Sequence, residues 1–129
     1  MNLVIDASAC IDLVLNTTAS VAILDRCSGA TLHAPELVDL EILNVLRRLE
    51  ARRSLASTDA EQAYARLARL PVKRHGHRPL LPGVWELRGN VSSYDAAYAT
   101  LARLLDVPLV TRDRRLANAP GLGCAVEVL

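Results

Sequence analysis

Four acidic residues of this chain lie where their carboxylates could share one metal ion. Asp6 directly follows the short apolar run Asn2-Leu-Val-Ile5, and Asp113 lies three positions after a second apolar run, Val107-Pro-Leu-Val110. In open parallel sheets, ligands bind outside the carboxyl ends of the strands. If both runs are strands of one parallel sheet, we expect Asp6 and Asp113 to contribute to one site at that edge.

Asp95 and Glu41 are predicted to complete this acidic site. Asp95 lies in the first turn of a predicted helix, and Glu41 lies on a helix that should pack on the sheet. Carboxylates brought together without a cation disfavour one another's ionised forms. Mg²⁺, or Mn²⁺ in its place, takes a few carboxylates together with water and substrate phosphate. Because such an ion activates bound water for attack on phosphorus, the four acids predict phosphodiester hydrolysis.

Each of these acids also has a purely structural explanation. The alternatives are a helix cap for Asp6, a capping box with Ser92 for Asp95, an ion pair with Arg48 for Glu41, and a turn for Asp113. One such explanation is plausible for any single residue. The shared placement at one sheet edge favours a common site over four independent structural roles.

Three neighbours of the strand-end acids are predicted to contact water or substrate. Ser8 and Thr111 could orient metal-bound water or a phosphate, although a helix cap and a strand-end hydroxyl explain them equally well. Arg112 is a predicted phosphate contact, because arginine suits bidentate binding of phosphate.

Other polar residues are not assigned to this site. His75 and His77, with His33, match no standard zinc spacing, and the neighbouring basic residues would repel a cation. Three further acids are interpreted as solvated surface: Asp12, Glu36 and Asp39.

Apolar periodicity alternates strands with helices along the chain, which predicts a doubly wound α/β sheet. Strands are predicted at 2–5, 30–33, 72–74, 107–110 and 125–129, the last as an edge strand. Helices are predicted at 8–15, 18–27, 35–53, 58–70, 84–88 and 92–105. Pro35 should lie in the first turn of the third helix, and a capping box of Thr58 and Glu61 should open the fourth. We expect one domain, residues 1–129, with a mostly parallel central sheet flanked by helices.

The composition is that of a small intracellular protein. The chain has 129 residues, 51% of them hydrophobic, and a formal charge of +1, so it is not a polycation. Its three cysteines form no paired motif, which favours a reducing compartment. The apolar start is too short for a signal peptide, and no apolar run reaches membrane-spanning length. We therefore expect a cytoplasmic protein with no membrane partner.

Four segments in this order and spacing resemble the PIN-domain nucleases, and specifically the toxin of the VapBC type of bacterial toxin-antitoxin pair. The resemblance spans essentially the whole chain. The segments are Val4-Ile-Asp6-Ala-Ser8, Pro35-Glu-Leu-Val-Asp-Leu-Glu41-Ile-Leu-Asn-Val-Leu46, Ser93-Tyr-Asp95-Ala-Ala-Tyr98 and Leu109-Val-Thr-Arg-Asp113.

The resemblance implies a PIN-like fold and an Mg²⁺-dependent endoribonuclease. It implies that Asp6, Glu41, Asp95 and Asp113 are the acidic quartet, with Asp6 and Asp95 as the surest metal ligands. It further implies an RNA substrate, a homodimer, and a cognate antitoxin that covers the active site.

Three other classes compete with this interpretation. A haloacid-dehalogenase-type phosphatase would need a second Asp at position 8, which is Ser8, and a phosphoacceptor receiver domain would need a late strand-end lysine, whereas the only lysine is Lys73. The third alternative is a catalytically inactive PIN-fold module that binds RNA or protein. Cleavage that a chelator abolishes would distinguish the enzyme from that module.

Overall fold

The computed structural model describes all residues from 1 to 129 and contains one five-stranded sheet. The strands are β1 (Asn2–Ile5), β2 (Thr31–Pro35), β3 (Val72–His75), β4 (Leu109–Thr111) and β5 (Val126–Val128). All neighbouring strands are parallel, in the order β3-β2-β1-β4-β5. The predicted α/β fold, with a central parallel sheet and a final edge strand, is confirmed.

Seven helices flank this sheet. They are α1 (Ala7–Leu15), α2 (Ser20–Cys27), α3 (Leu37–Ala51), α4 (Ser57–Arg69), α5 (Leu81–Glu86), α6 (Ser93–Leu105) and α7 (Arg114–Ala117). A single 3-10 turn, Arg78–Leu80, precedes α5.

The strand order creates a crevice at the carboxyl ends of β1 and β4. The chain proceeds from β1 to β2 and β3 on one side and then adds β4 and β5 on the other side of β1. Such a reversal is the point at which open α/β sheets bind ligands. In β1, Leu3, Val4 and Ile5 have no exposed surface, as expected for a central strand covered on both faces.

Helix α6 is the most buried helix and positions Asp95. It contacts β1, β2, β4 and α5, and its residues 96–102 are all buried. Four of those seven residues are alanines, which allow close packing. A Cβ atom at Gly83 of α5 would lie 2.5 Å from Cγ2 of Thr100 on α6, so this approach requires glycine. The first turn of α6 is thereby fixed at the edge of the crevice.

Three local predictions were wrong. Pro35 is the last residue of β2, beside His75 of β3, and α3 begins only at Leu37; a strand end tolerates the missing N–H of proline. Helix α4 begins at Ser57 without a side-chain cap, so Thr58 lies inside the helix and forms no capping box. Helix α5 begins three residues earlier than predicted, because Pro82 fits its first turn.

Two acids that were interpreted as solvated surface instead form ion pairs. Asp12 lies 3.0 Å from Nε of Arg112 and also accepts a hydrogen bond of 2.7 Å from Thr17. Asp39 lies 2.9 Å from Nη2 of Arg74. Partners distant in the sequence supply both counter-ions.

None of the helices alone is both long and apolar enough to cross a membrane. Helices α1 and α2 pass a test of length and composition only as a pair, and the pair is bent by 114°.

Replacing Ile42 by alanine is expected to destabilise the packing of α3. Ile42 has no exposed surface, so the shorter side chain leaves a cavity, which typically lowers the free energy of unfolding by about 2–5 kcal/mol. Leu40 on the same helix is 71% exposed, and Leu40→Ala should change it by less than about 0.5 kcal/mol. Urea unfolding followed by circular dichroism measures both variants. Equal effects would contradict the packing of α3 through Ile42.

Candidate active site

Asp6 directly follows β1 and is the N-cap residue of α1. Its Oδ1 accepts hydrogen bonds from the Ser8 hydroxyl at 2.6 Å and from the Ala9 backbone N–H at 3.2 Å, and its Oδ2 accepts one from the Thr111 hydroxyl. Burial raises the pKa of Asp6, while these hydrogen bonds act in the opposite direction. The orientation of the carboxylate is therefore fixed, but burial still disfavours its ionised form.

The hydroxyls of Ser8 and Thr111 connect the ends of the two central strands. Thr111 at the end of β4 donates to Asp6 and accepts from the Asp113 backbone N–H at 3.0 Å. Ser8 donates to Asp6 and accepts from the Arg112 backbone N–H at 2.9 Å. Both hydroxyl hydrogens point at Asp6, so these side chains orient that carboxylate.

Glu41 is held from inside the protein by Tyr98. The Tyr98 hydroxyl on α6 donates a hydrogen bond of 2.6 Å to Oε1 of Glu41 on α3. Burial, followed by the neighbouring Glu41 carboxylate, raises the pKa of Tyr98, so the phenol stays a donor. Burial also raises the pKa of Glu41. The ion pair with Arg48 that could have explained Glu41 is not formed.

Asp95 is electrostatically coupled to the three other acids. Its backbone N–H donates to the Ser92 hydroxyl at 3.2 Å, which caps α6. Burial raises the pKa of Asp95, Arg115 opposes this shift, and the negative charge of Asp113 adds to it. The charge of Asp95 also contributes to the raised pKa values of Asp6 and Glu41. Asp95 is therefore electrostatically central to the acidic cluster.

Asp113 differs from the other acids because it forms an ion pair with the Arg115 guanidinium. It is the N-cap of α7, where Oδ1 accepts from the Arg115 backbone N–H at 2.9 Å and Oδ2 accepts from Nη2 of Arg115 at 2.9 Å. The hydrogen bond from the guanidinium lowers the pKa of Asp113. The predicted turn-initiating role is thus present, together with an ion pair.

The structure brings the four acids together in one cavity of about 300 Å³. A second cavity of about 580 Å³ adjoins it, and Glu41, Asp95 and Arg115 line both, so the two form a continuous cleft. Tyr94, which is 66% exposed, lines the larger cavity. Arg48 lines the smaller one. The cleft thus combines clustered carboxylates with arginines at its walls.

The donor set fits a cation that retains part of its water shell. Three acids of the cluster have raised pKa values, which a nearby cation would reverse. No three His, Cys, Asp or Glu side chains are arranged to hold a metal ion by themselves. Structural zinc requires four protein ligands, whereas Mg²⁺ is usually held by one or two carboxylates with water and substrate phosphate. The acidic cavity suits the second kind of site.

Arg112 and the histidines have partners outside this cavity. The Arg112 guanidinium pairs with Asp12 and donates to the Leu129 carbonyl oxygen at 2.7 Å, so its contact with substrate stays a prediction. Nδ1 of His33 lies 2.9 Å from Nε2 of His75, and His77 accepts a hydrogen bond from the backbone of α3.

Sequence reasoning assigned no site role to three residues of the cleft: Tyr94, Tyr98 and Arg115. Tyr98 follows Asp95 by three positions, which places both on one helix face. Arg115 follows Asp113 by two positions, within reach of an N-cap carboxylate. These spacings were available signals, but neither identifies a side-chain partner by itself.

The fold and this acidic cleft define a class of protein. Residues 3–122 match the family described as the PIN domain, and the chain therefore belongs to the PIN-domain family.

Relatives narrow the family further. The chain is 39% identical to Ribonuclease VapC1 of Mycobacterium tuberculosis over 128 residues, covering 98% of this chain and 96% of the relative. It is 34% identical to Ribonuclease VapC12 of the same species, with 98% of both chains covered. Within the PIN-domain family, the chain is thus a member of the VapC ribonucleases.

Solved structures confirm the fold. VapBC2 of Rickettsia felis, bound to a DNA fragment from its promoter, gives a TM-score of 0.71 at 13% identity and covers 99% of this chain and 98% of that one. VapC20 of Mycobacterium tuberculosis, a toxin that cleaves the sarcin-ricin loop, gives 0.66 at 16% identity, with coverages of 89% and 92%.

Replacing Asp95 by asparagine is expected to stabilise the metal-free protein at neutral pH. Burial raises the pKa of Asp95, so the folded state binds this proton more tightly than the unfolded chain. The contribution of Asp95 to stability is therefore full below its ordinary pKa and is lost as the pH rises through the raised value. Because asparagine carries no charge, Asp95→Asn should raise the free energy of unfolding by an amount on the order of 1 kcal/mol at about pH 7. This gain should vanish near the ordinary carboxyl pKa of about 4.

Thermal unfolding in chelator at both pH values measures this gain. Asp25→Asn is the matched control, because Asp25 is exposed and far from the cleft in the fold, on α2. A lower melting temperature of Asp95→Asn than of wild type at neutral pH would contradict the unfavourable charge assigned to Asp95.

Proposed function

We propose that this protein is an Mg²⁺-dependent endoribonuclease and the toxin of a type II toxin-antitoxin pair. The observation that carries the proposal is the convergence of Asp6, Glu41, Asp95 and Asp113 on one cavity at the carboxyl ends of β1 and β4. Membership of the VapC ribonucleases supports RNA as the substrate.

The proposed metal ligands are Asp6 and Asp95, with Glu41 and Asp113 completing the acidic site. When bound, Mg²⁺ or Mn²⁺ would lower the pKa of a coordinated water and offset negative charge that develops on the scissile phosphate. Glu41 has one oxygen engaged by Tyr98, and its second oxygen accepts no hydrogen bond from the protein. That second oxygen is available to bind the ion or to accept a proton.

Hydrogen bonds from neighbouring hydroxyls keep these carboxylates in place before substrate arrives. Ser8 and Thr111 fix both oxygens of Asp6, and Tyr98 fixes Glu41. Donors of this kind determine how a ligating carboxylate is oriented. Their loss would therefore reduce the rate without removing a ligand.

An exposed aromatic side chain in the cleft supports unpaired RNA as the substrate. The larger cavity carries the exposed ring of Tyr94 next to Asp95 in the sequence. An exposed aromatic ring can stack an unstacked base, a contact available only in single strands, loops or bulges. Tyr94 is thus the proposed base platform beside the scissile phosphate.

The proposed partners and cellular location rest on membership of the VapC family. A cognate antitoxin would cover the cleft, and a homodimer and a cytoplasmic location are proposed with it. One core of 28 buried residues supports residues 1–129 as a single PIN domain.

Asp95→Asn is expected to lower metal-dependent RNA cleavage by about 100-fold or more, because a catalytic metal supplies several kcal/mol of transition-state stabilisation. Purified wild type, Asp95→Asn and the control Asp25→Asn are incubated with total RNA in Mg²⁺ or chelator, and cut ends are mapped. If wild type and Asp25→Asn cut RNA, and do so only when Mg²⁺ is present, the result supports the nuclease assignment. RNA binding without cleavage in every sample would support the inactive module instead.

Expression of wild type from an inducible promoter is expected to arrest bacterial growth, because a toxin's target RNA is present in the cell. Asp6→Asn should permit growth at equal protein level, since it removes a proposed metal ligand. Growth curves with quantified expression measure both. Continued growth with active wild-type nuclease would refute the toxin role while leaving the enzyme assignment intact.

A further inference from the structure

We propose that Asp113 acts through Arg115: its carboxylate holds the guanidinium as a contact for an RNA phosphate, and Asp113 itself is not a metal ligand. This inference rests on the proposed ribonuclease function. Asp6, Glu41 and Asp95 then face the ion, and Asp113 is a positioning residue.

Both oxygens of Asp113 are already engaged by Arg115. Oδ1 accepts from the backbone N–H and Oδ2 from Nη2, each at 2.9 Å. Both oxygens of Asp6 also accept hydrogen bonds, but the donors Ser8, Ala9 and Thr111 are uncharged. A divalent ion bound to Asp113 would have to displace, or lie directly against, the guanidinium that is hydrogen-bonded to this carboxylate. Asp6 accepts no hydrogen bond from a cationic group.

Arg115 lies at the junction of the two cavities that form the cleft. It lines both the acidic cavity and the adjoining larger cavity, and its side chain is 81% exposed. An arginine side chain has five N–H donors, and the pair with Asp113 uses one of them. The remaining donors are free for phosphate oxygens, for which the planar guanidinium is well suited.

The cleft needs such a contact because its carboxylates repel the RNA backbone. Only two arginines line the acidic cavity, Arg48 of α3 and Arg115 of α7. Arg48 forms no ion pair and has no residue that fixes its guanidinium. Of the two, only Arg115 has a partner that restricts its guanidinium, which lowers the entropy lost when it binds a phosphate.

The combined variant Asp113→Asn with Arg115→Gln tests the proposal without changing the net charge. Asparagine is a good N-cap residue, so α7 keeps its cap. Calorimetric titration with Mn²⁺ should give an affinity within about twofold of wild type, whereas Asp95→Asn should lose binding. Anisotropy of a labelled single-stranded RNA, measured in chelator, should show about tenfold weaker binding, as expected for loss of a charged hydrogen-bonded contact. The salt dependence of log K should fall in slope by about 0.7, equivalent to one phosphate contact on a single strand.

Arg114→Ala is the matched control. Arg114 is exposed on the same helix but lines neither cavity, so RNA affinity should change by less than about twofold even though a positive charge is lost. Weakened Mn²⁺ binding in the double variant would make Asp113 a ligand and overturn the proposal. Unchanged RNA affinity in that variant would overturn it as well. Failure of the ribonuclease assignment itself is recognised separately, by absence of cleavage in wild type.

Discussion

The Asp6 carboxylate is buried at the carboxyl end of the central strand, and a buried charge is tolerated only when hydrogen bonds or counter-ions surround it. Ser8, Ala9 and Thr111 supply three hydrogen bonds from α1 and β4. The contacts that satisfy Asp6 therefore also fix the two strand ends that form the cleft. The pKa of Asp6 stays raised despite these hydrogen bonds, so a nearby divalent cation would stabilise the ionised carboxylate.

A second constraint is the balance of charge along the cleft. Clustered carboxylates attract a metal ion but repel the phosphates of a substrate, and no single sign of charge serves both ligands. The chain places Arg48 of α3 and Arg115 of α7 beside the carboxylates in the same cavity. In the pair of Asp113 and Arg115 the two signs of charge lie 2.9 Å apart.

Much of the fold could be predicted because the central elements follow simple periodic patterns. Strand β1, apolar from Leu3 to Ile5, matched its predicted bounds, and α6 differed by one residue at its start. One prediction failed where tertiary context decides: Pro35 ends β2 because it pairs there with His75 of β3. The start of α5 was missed for a local reason, the fit of Pro82 in the first turn. For the site, the sheet-edge rule placed the acids in one cavity. It could not supply the contacts from Tyr98 to Glu41 or from Arg115 to Asp113, since side-chain partners depend on packing in three dimensions.

Crystals of the protein soaked in Mn²⁺ and measured at the manganese absorption edge would locate the ion directly. An anomalous peak is expected between Asp6 and Asp95, about 2 Å from a carboxylate oxygen of each, a distance typical of small divalent ions. The peak should disappear in Asp95→Asn. A peak at the paired histidines His33 and His75, or no peak in crystals of a protein that cleaves RNA with Mn²⁺, would contradict the metal site on which the proposed chemistry depends.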